Sequence, residues 1–332
     1  MAGMTGDDHP STVNISSLLA GDRRALARAV TLIESTTAAD QKQSEKLLDA
    51  ILPRTGGAMR IGISGAPGVG KSTFIEAFGL RLTGQGKKVA VFAIDPSSRR
   101  GGGSILGDKT RMEKLARDPN SYIRPSPAGT TLGGVARRTR ECLLLAEASG
   151  FDVVLVETVG VGQSETAVAD MTDLFVLLAS PGGGDDLQGI KRGVMELADI
   201  LIVTKADGDL LPAARRAVSD YHAALHLMRP KHQGLFPKVL AVSSFEGTGI
   251  AEAWSEIRTI HDTLSANGRL AALRADQARR WFWAEVQTSL SEAILSDPTL
   301  AGRARDLEIA ASRGAVLPYA AARSLLAGFH PA

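Results

Sequence analysis

The sequence contains a single cysteine, Cys142, among its 332 residues. One thiol excludes an intrachain disulfide and any zinc site built from cysteines, so we expect a reducing compartment. Aromatic residues make up only 5% of the chain, whereas glycine is plentiful, with 35 residues. Few aromatic residues and many glycines favour an α/β protein with tight turns between strands and helices.

The chain also lacks a large excess of positive or negative charge, and it lacks long apolar runs. Because 38 lysines and arginines nearly balance 36 aspartates and glutamates, we expect neither a nucleic-acid partner nor an anionic membrane surface. The longest apolar runs, such as "LFVLLA" at residues 174–179, are too short to cross a bilayer. The first ten residues, "MAGMTGDDHP", have no signal pattern and carry acids that transit peptides avoid. These features predict a cytoplasmic protein.

From residue 58 onward, short apolar runs such as "MRIGIS", "KKVAVFAI" and "FDVVLVE" alternate with helical patterns. Runs that are apolar throughout are typical of strands buried on both faces, so the pattern predicts a mostly parallel sheet flanked by helices. Helical spacing before and after these runs predicts an N-terminal helical extension over residues 1–56, an α/β domain over 57–265 and a C-terminal helical arm over 266–332.

One apolar face of the C-terminal arm carries Phe282, Val286, Leu290 and Ile294 at a spacing of four. That spacing places them along one side of a helix. The face could pack against the parent domain or against a second copy of the chain, and the sequence leaves both interpretations open.

The string "GAPGVGKS" at residues 65–72 matches GxxxxGK[ST] and lies between a predicted strand and a predicted helix. Its glycines allow backbone N–H groups to converge on phosphates, and the helix adds its N-terminal dipole. Lys71 is expected to reach the β- and γ-phosphates, and Ser72 to bind Mg²⁺ through its hydroxyl. The predicted nucleotide-binding loop comprises Gly65, Ala66, Pro67, Gly68, Val69, Gly70, Lys71, Ser72 and Thr73.

The string "TKAD" at residues 204–207 follows another predicted strand. A carboxylate at Asp207 can accept hydrogen bonds from N1–H and N2–H₂ of guanine, whereas adenine offers no such pair, so we expect GTP rather than ATP. Lys205 would lie along the base. Thr204 stands where GTPases usually have Asn, which is expected to weaken support of the base site. The next strand delivers Ser243, Ser244 and Phe245, which are expected to point backbone N–H groups at guanine O6.

Three acids at predicted strand ends or nearby loops, Asp95, Asp108 and Glu157, are candidate Mg²⁺ ligands beside Ser72. Glu157 opens "ETVGVGQSE", where signalling GTPases have Asp at the first position and Gln in place of Val161. Because Val161 cannot orient a water molecule, we expect slow intrinsic hydrolysis that a partner accelerates. The candidate catalytic residues are Lys71, Glu157, Gly160, Gln163 and Lys191.

The chain resembles the methylmalonyl-CoA mutase-associated GTPase chaperones, the MeaB or ArgK-like family. The resemblance is carried by "GAPGVGKST", "DPSSRRGGGSILGDKTRM", "RPSPAGTTLGGVARRTRE", "FDVVLVETVGVGQSETAVADMTD", "GGGDDLQGIKRGVMELADI" and "KAD". It covers nearly the whole chain and is strongest over residues 58–207.

The resemblance implies a P-loop GTPase that binds GTP, GDP and Mg²⁺ and forms a homodimer through the C-terminal arm. It also implies binding to the adenosylcobalamin-dependent mutase, gating of cofactor delivery by cobalamin adenosyltransferase, and protection of the mutase. Residues 182–191 match an additional switch of the family, in which Lys191 is a candidate for coupling the nucleotide state to the partner.

The residues alone leave three alternative functions open. A metal-insertion GTPase could use His222 and His226, which lie four apart on a predicted helix, although two histidines alone make a poor transition-metal site. A kinase that phosphorylates a transport protein could recruit Asp95 or Glu157 as its base. A scaffold that binds guanine nucleotide could hydrolyse it only incidentally.

Overall fold

The computed structural model describes residues 13–94, 112–125, 132–158, 164–182 and 192–329. These residues form two compact units that divide after Leu273. In the described ranges, no helix combines the length and apolarity that a membrane span requires. The domain bounds expected at residues 56 and 265 stay predictions.

Seven parallel strands of the described chain form one sheet in the order β3-β2-β4-β1-β5-β6-β7. This confirms the predicted parallel sheet flanked by helices. The strands are β1 (Met59–Gly65), β2 (Val89–Ile94), β3 (Ser121–Pro125), β4 (Val153–Thr158), β5 (Leu174–Ala179), β6 (Ile200–Val203) and β7 (Lys238–Ala241).

The central strands are buried along their whole length because helices cover both faces of the sheet. Every residue of β4, β5 and β6 is buried. Successive side chains of a strand point to opposite faces, so continuous burial requires a cover on each side. The apolar runs of the sequence are therefore explained by position in the sheet.

Three N-terminal helices pack on one another: α1 (Ile15–Leu19), α2 (Arg23–Glu34) and α3 (Ala38–Ile51), followed by a 3₁₀ turn at Leu52–Arg54. Asp22 caps α2 by accepting hydrogen bonds from the N–H groups of Arg24 and Ala25. The buried face of α2 includes Leu26 and Val30. This face lies next to the helix that precedes β4, so the N-terminal helices pack on the sheet-forming part of the chain.

The other helices described in the first unit are α4 (Lys71–Thr83), α5 (Glu113–Arg117), α6 (Leu132–Ala148), α7 (Ser164–Ala169), α8 (Arg192–Met195), α9 (Leu211–His226) and α10 (Ile250–Ala266). The chain then continues as α11 (Arg269–Ser296), α12 (Pro298–Ser312) and α13 (Pro318–Ala327).

The predicted apolar face of α11 is not uniformly buried. Ile294 is 9% exposed, whereas Phe282 is 61% and Leu290 is 43% exposed. Helical spacing showed which side chains share a side of the helix, but it could not show how far each is covered.

A buried carboxylate fastens the segment after α9 to the amino end of the sheet. Asp199 accepts a hydrogen bond of 2.7 Å from the Phe175 N–H and one of 2.6 Å from the Lys231 ammonium. Nε2 of His232 lies 3.1 Å from its other oxygen. Burial alone would raise the pKa of the Asp199 carboxyl, but Lys231 and His232 outweigh burial and hold that pKa below its usual value.

We predict that Asp199→Asn lowers the free energy of unfolding by about 3 kcal/mol at pH 7, because Lys231 loses its buried counter-charge. The folded-state pKa lies below the unfolded value of about 3.9. The stabilisation is therefore present above the unfolded pKa and is lost as the pH falls through the folded pKa. Urea unfolding should show a difference from wild type that shrinks in acid. A difference in unfolding free energy that is the same at all pH values would contradict this explanation. Asp49→Asn, at an exposed position, is the control.

Candidate functional site

The candidate site lies where the parallel strands end. β1 occupies the middle of the sheet, with β4, β2 and β3 on one side and β5, β6 and β7 on the other. Chain connections leave in opposite directions at this position, which is where open α/β sheets bind ligands. The ends of β1, β6 and β7 carry the three motifs predicted to bind nucleotide.

The phosphate loop makes its tight turn with glycines at two demanding positions. A Cβ on Gly65 would lie 2.5 Å from the Leu178 carbonyl oxygen, so a side chain there would displace β5. Gly70 has a φ of 97°, a left-handed conformation, directly before α4 begins at Lys71. The loop therefore approaches the neighbouring strand closely and then turns into the helix.

Backbone donors and one ammonium group converge at this turn. The first intrahelical bond of α4 runs from the Phe74 N–H to the Gly70 carbonyl at 2.9 Å, so the N–H groups of Lys71, Ser72 and Thr73 have no acceptor within the helix. The Lys71 ammonium donates to the Gly65 carbonyl at 2.7 Å and to the Ala66 carbonyl at 3.2 Å. This arrangement suits a polyphosphate.

The loop after β6 is held in an uncommon conformation. Lys205 has a φ of 53°, and within the described ranges it is the non-glycine residue with a positive φ. Its ammonium donates to the Gly68 carbonyl at 2.8 Å. Such a backbone costs energy and persists where surrounding contacts determine it, which is common at ligand sites.

Asp207 is positioned by the loop after β7. The Ser243 hydroxyl donates to the Asp207 carboxylate and accepts from the Glu246 N–H at 3.0 Å. Ser243 is fully buried, so its hydroxyl fixes the carboxylate rather than contacting solvent. The sequence indicated Ser243 only as a backbone donor; its hydroxyl role was missed, although a serine directly after a strand beside an expected Asp is a usable signal. Phe245 is 93% exposed at the same loop.

The end of β4 lies beside the phosphate loop. Glu157 is 4% exposed, and the Thr158 hydroxyl donates to the Ser64 hydroxyl at 2.9 Å, joining β4 to β1. Ser72 is partly buried in the first turn of α4. Hydroxyl and carboxylate oxygens are the donors that Mg²⁺ prefers, so Ser72 and Glu157 fit this ion. Asp95, Asp108, Gly160, Gln163 and Lys191 lie outside the described residues.

His222 and His226 contact each other on the surface of α9. Their ring centroids are 4.3 Å apart with the ring planes tilted by 35°, and the His226 ring stacks on Phe236 at 5.3 Å. Across the part of the chain that the structure describes, no three or more His, Cys, Asp or Glu side chains are grouped to hold a metal ion. Contacts among these three rings account for the placement of the histidine pair.

A family model described as the methylmalonyl Co-A mutase-associated GTPase MeaB matches residues 26–299. The chain belongs to this family. It is 46% identical over 312 residues to GTPase ArgK of Escherichia coli, covering 94% of each chain. It is 47% identical over 324 residues to the mouse methylmalonic aciduria type A homolog, mitochondrial, covering 95% of this chain and 78% of that protein.

Among solved structures, an LAO/AO transport system kinase matches with a TM-score of 0.74 and 40% identity over 94% of each chain. The fold and the family therefore agree, and this MeaB-family chain is a P-loop GTPase that hydrolyses GTP to GDP and phosphate. The position of each nucleotide-contacting residue is a proposal that the geometry above supports.

We predict that Asp207→Asn weakens GDP binding by at least about 100-fold, since two hydrogen bonds to a charged group are lost, each worth about 1.5–3 kcal/mol. The variant should gain affinity for xanthosine diphosphate, whose C2 carbonyl can accept from the new amide. Titration with fluorescent nucleotides measures both affinities. Asp209→Asn, at an exposed position two residues on, should change neither. Unaltered GDP affinity in Asp207→Asn would show that another group selects the base.

Proposed function

We propose that the protein is a guanine-nucleotide switch that acts on adenosylcobalamin-dependent methylmalonyl-CoA mutase. In this proposal it gates loading of the cofactor from cobalamin adenosyltransferase and protects the mutase. The observation that carries the proposal is the family match over residues 26–299, whose description names both the mutase and a GTPase. The name of the mouse relative, which refers to methylmalonic aciduria, supports the same function.

We assign phosphate binding to the loop after β1 and guanine binding to the loops after β6 and β7. The phosphate loop cradles the β- and γ-phosphates with the N–H groups that open α4, and Lys71 moves its ammonium between its loop carbonyls and the phosphates. Asp207, oriented by Ser243, accepts from the guanine edge, and the backbone of Ser244 and Phe245 faces O6. The proposed phosphate-binding residues are Gly65, Ala66, Pro67, Gly68, Val69, Gly70, Lys71, Ser72 and Thr73.

Mg²⁺ supplies charge neutralisation on the phosphates when bound. We propose that Ser72, Asp95, Asp108 and Glu157 hold it directly or through water. Glu157 is one methylene longer than the usual Asp, so from its buried position it can touch a metal-bound water or reach farther into the site.

Slow turnover follows from the residues that come after β4. Gly160 offers a backbone N–H for the γ-phosphate, but Val161 replaces the group that orients water in signalling GTPases. The absence of such a group, or of an arginine that stabilises the transition state, lowers the rate of hydrolysis by a factor on the order of 10³ to 10⁵. We propose that the mutase completes the site by ordering Gln163 and, through residues 182–191, Lys191.

We also propose a homodimer formed through the C-terminal arm. Phe282 and Trp283 of α11 are 61% and 63% exposed and contact each other edge to face, with ring centroids 5.4 Å apart. Two neighbouring exposed aromatic side chains favour a protein contact.

We predict slow single-turnover GTP hydrolysis by the protein alone and at least about tenfold faster hydrolysis with the mutase, because the partner supplies the missing stabilisation. Rapid quench with radiolabelled GTP measures both rates. Lys71→Ala should abolish hydrolysis in both conditions, since it removes the ammonium that holds the γ-phosphate.

Fast basal hydrolysis that the mutase does not change would overturn the switch proposal. The same reactions test the kinase alternative, which the name of the solved relative raises. Label that is transferred from GTP to a protein, rather than released as phosphate, would favour a kinase.

A further inference from the structure

A small cavity lies at the edge of the sheet, beside the last strand, β3. This strand is hydrogen-bonded to β2 on one side and to no strand of the described chain on the other. Tyr122 and Ile123 both line the cavity, although successive side chains of a strand point to opposite faces. The cavity therefore opens at the unpaired edge of β3, and its volume is about 280 Å³.

Helix α2 runs along this edge and is attached near both ends of β3. At the start of the helix, the Arg23 guanidinium donates to the Asp118 carbonyl at 3.1 Å. At its end, Glu34 accepts from Nε of Arg124 at 3.2 Å. These contacts hold in place the wall that α2 forms beside the strand. The helices contribute four residues to the lining, Arg23, Arg24 and Ala27 from α2 and Ala116 from α5.

A buried tyrosine of this cavity has a hydroxyl without a partner. Tyr122 is 7% exposed, and its ring contacts Phe92 and Phe151 with centroids 6.2 and 6.3 Å away. Within the described ranges the hydroxyl makes no hydrogen bond, although buried tyrosine hydroxyls usually find one. Burial raises the pKa of Tyr122, while the charges of Arg124 and Arg23 oppose that rise. The hydroxyl therefore keeps its proton at neutral pH and can donate to a ligand.

Two guanidinium groups make the cavity positively charged. Neither Arg23 nor Arg24 forms an ion pair with a carboxylate in the part of the chain that the structure describes. Acids close to them have other partners, because Asp22 caps α2 and Glu34 pairs with Arg124. Guanidinium groups suit the oxygens of a carboxylate or a phosphate. The other lining residues from α2, α5 and β3 offer apolar surface, which suits a short hydrocarbon.

We propose that this cavity binds a small organic anion, a carboxylate or a phosphate ester with a short hydrocarbon body. Arg23 and Arg24 pair with the charge, the Tyr122 hydroxyl donates to the same group, and the hydrocarbon packs on Ile123. The cavity is close to the lower limit of ligand pockets, roughly 300 Å³, so its ligand is smaller than a nucleotide. None of these residues belongs to the proposed nucleotide site, and the inference does not depend on the proposed action on the mutase.

Butyrate and propyl phosphate test the proposal, because they share a propyl group and differ in the anionic group. The 332-residue chain is first saturated with GDP and Mg²⁺, so that the phosphate loop is occupied and cannot bind either probe. Ligand-observed NMR titration should then show saturable binding of at least one probe, and the tighter probe identifies the anionic group. Butyramide, which is uncharged, should bind at least about tenfold more weakly than the tighter anion, because charge-assisted hydrogen bonds are lost.

Three variants locate the binding site. Arg24→Gln removes an exposed guanidinium, and Tyr122→Phe removes only a hydroxyl. Each should weaken binding of the tighter anion at least about tenfold, the expected loss for a hydrogen bond to a charged group. Arg28→Gln is the matched control, since Arg28 is an exposed arginine of the same helix that does not line the cavity. It should change the affinity by less than about twofold.

Four results would overturn the inference. The first is the absence of saturable binding by both probes, and the second is butyramide that binds as tightly as the anions. The third is an equal loss in Arg28→Gln and Arg24→Gln, because the effect would then come from the general charge of α2. The fourth is unchanged affinity in Arg24→Gln, which would place the anion elsewhere. That variant changes an exposed side chain, so it decides the matter even if Tyr122→Phe does not fold.

Discussion

Close approach of the phosphate loop to β5 is the constraint on which the candidate site depends. A Cβ at Gly65 would lie 2.5 Å from the Leu178 carbonyl oxygen. Only glycine therefore allows the chain to turn away from the sheet at the end of β1. The loop that follows is thereby placed against strands β5 and β6, within reach of the loop after β6. Because the sheet is parallel, every neighbouring strand also ends at this edge, and polar groups distant in sequence meet there.

Polar contacts among the strand ends and the loops that follow them hold this edge of the sheet in place. Ser243 orients Asp207, Thr204 holds Val69, and Thr158 bonds Ser64. Each donor or acceptor in these pairs is buried or partly buried, where a hydrogen bond is strong and an unsatisfied group is costly. The segments proposed to respond to the γ-phosphate, around Gly160 and residues 182–191, follow strands of the same sheet.

The sequence predicted what depends on local pattern. Continuous apolar runs predicted the parallel sheet, and the phosphate loop was recognised from glycine spacing between a strand and a helix. Contacts across long sequence separations were not predictable. Thr204 was interpreted as a weakening departure from Asn, because nothing in the sequence shows that its hydroxyl reaches Val69. The link from Asp199 to Lys231 and the hydroxyl role of Ser243 were missed for the same reason. On α11, periodicity could not separate the buried Ile294 from the exposed Phe282, because periodicity does not report what covers a side chain.

A switch must bind its partner with different affinity in its two nucleotide states, since equal affinity transmits nothing. A direct test of the switch is the affinity of the 332-residue chain for methylmalonyl-CoA mutase, determined by calorimetry with a non-hydrolysable GTP analogue and with GDP. We expect affinities that differ by at least about fivefold, the lower end of usual coupling between sites. Equal affinities in the two states, or no binding in either, would contradict it.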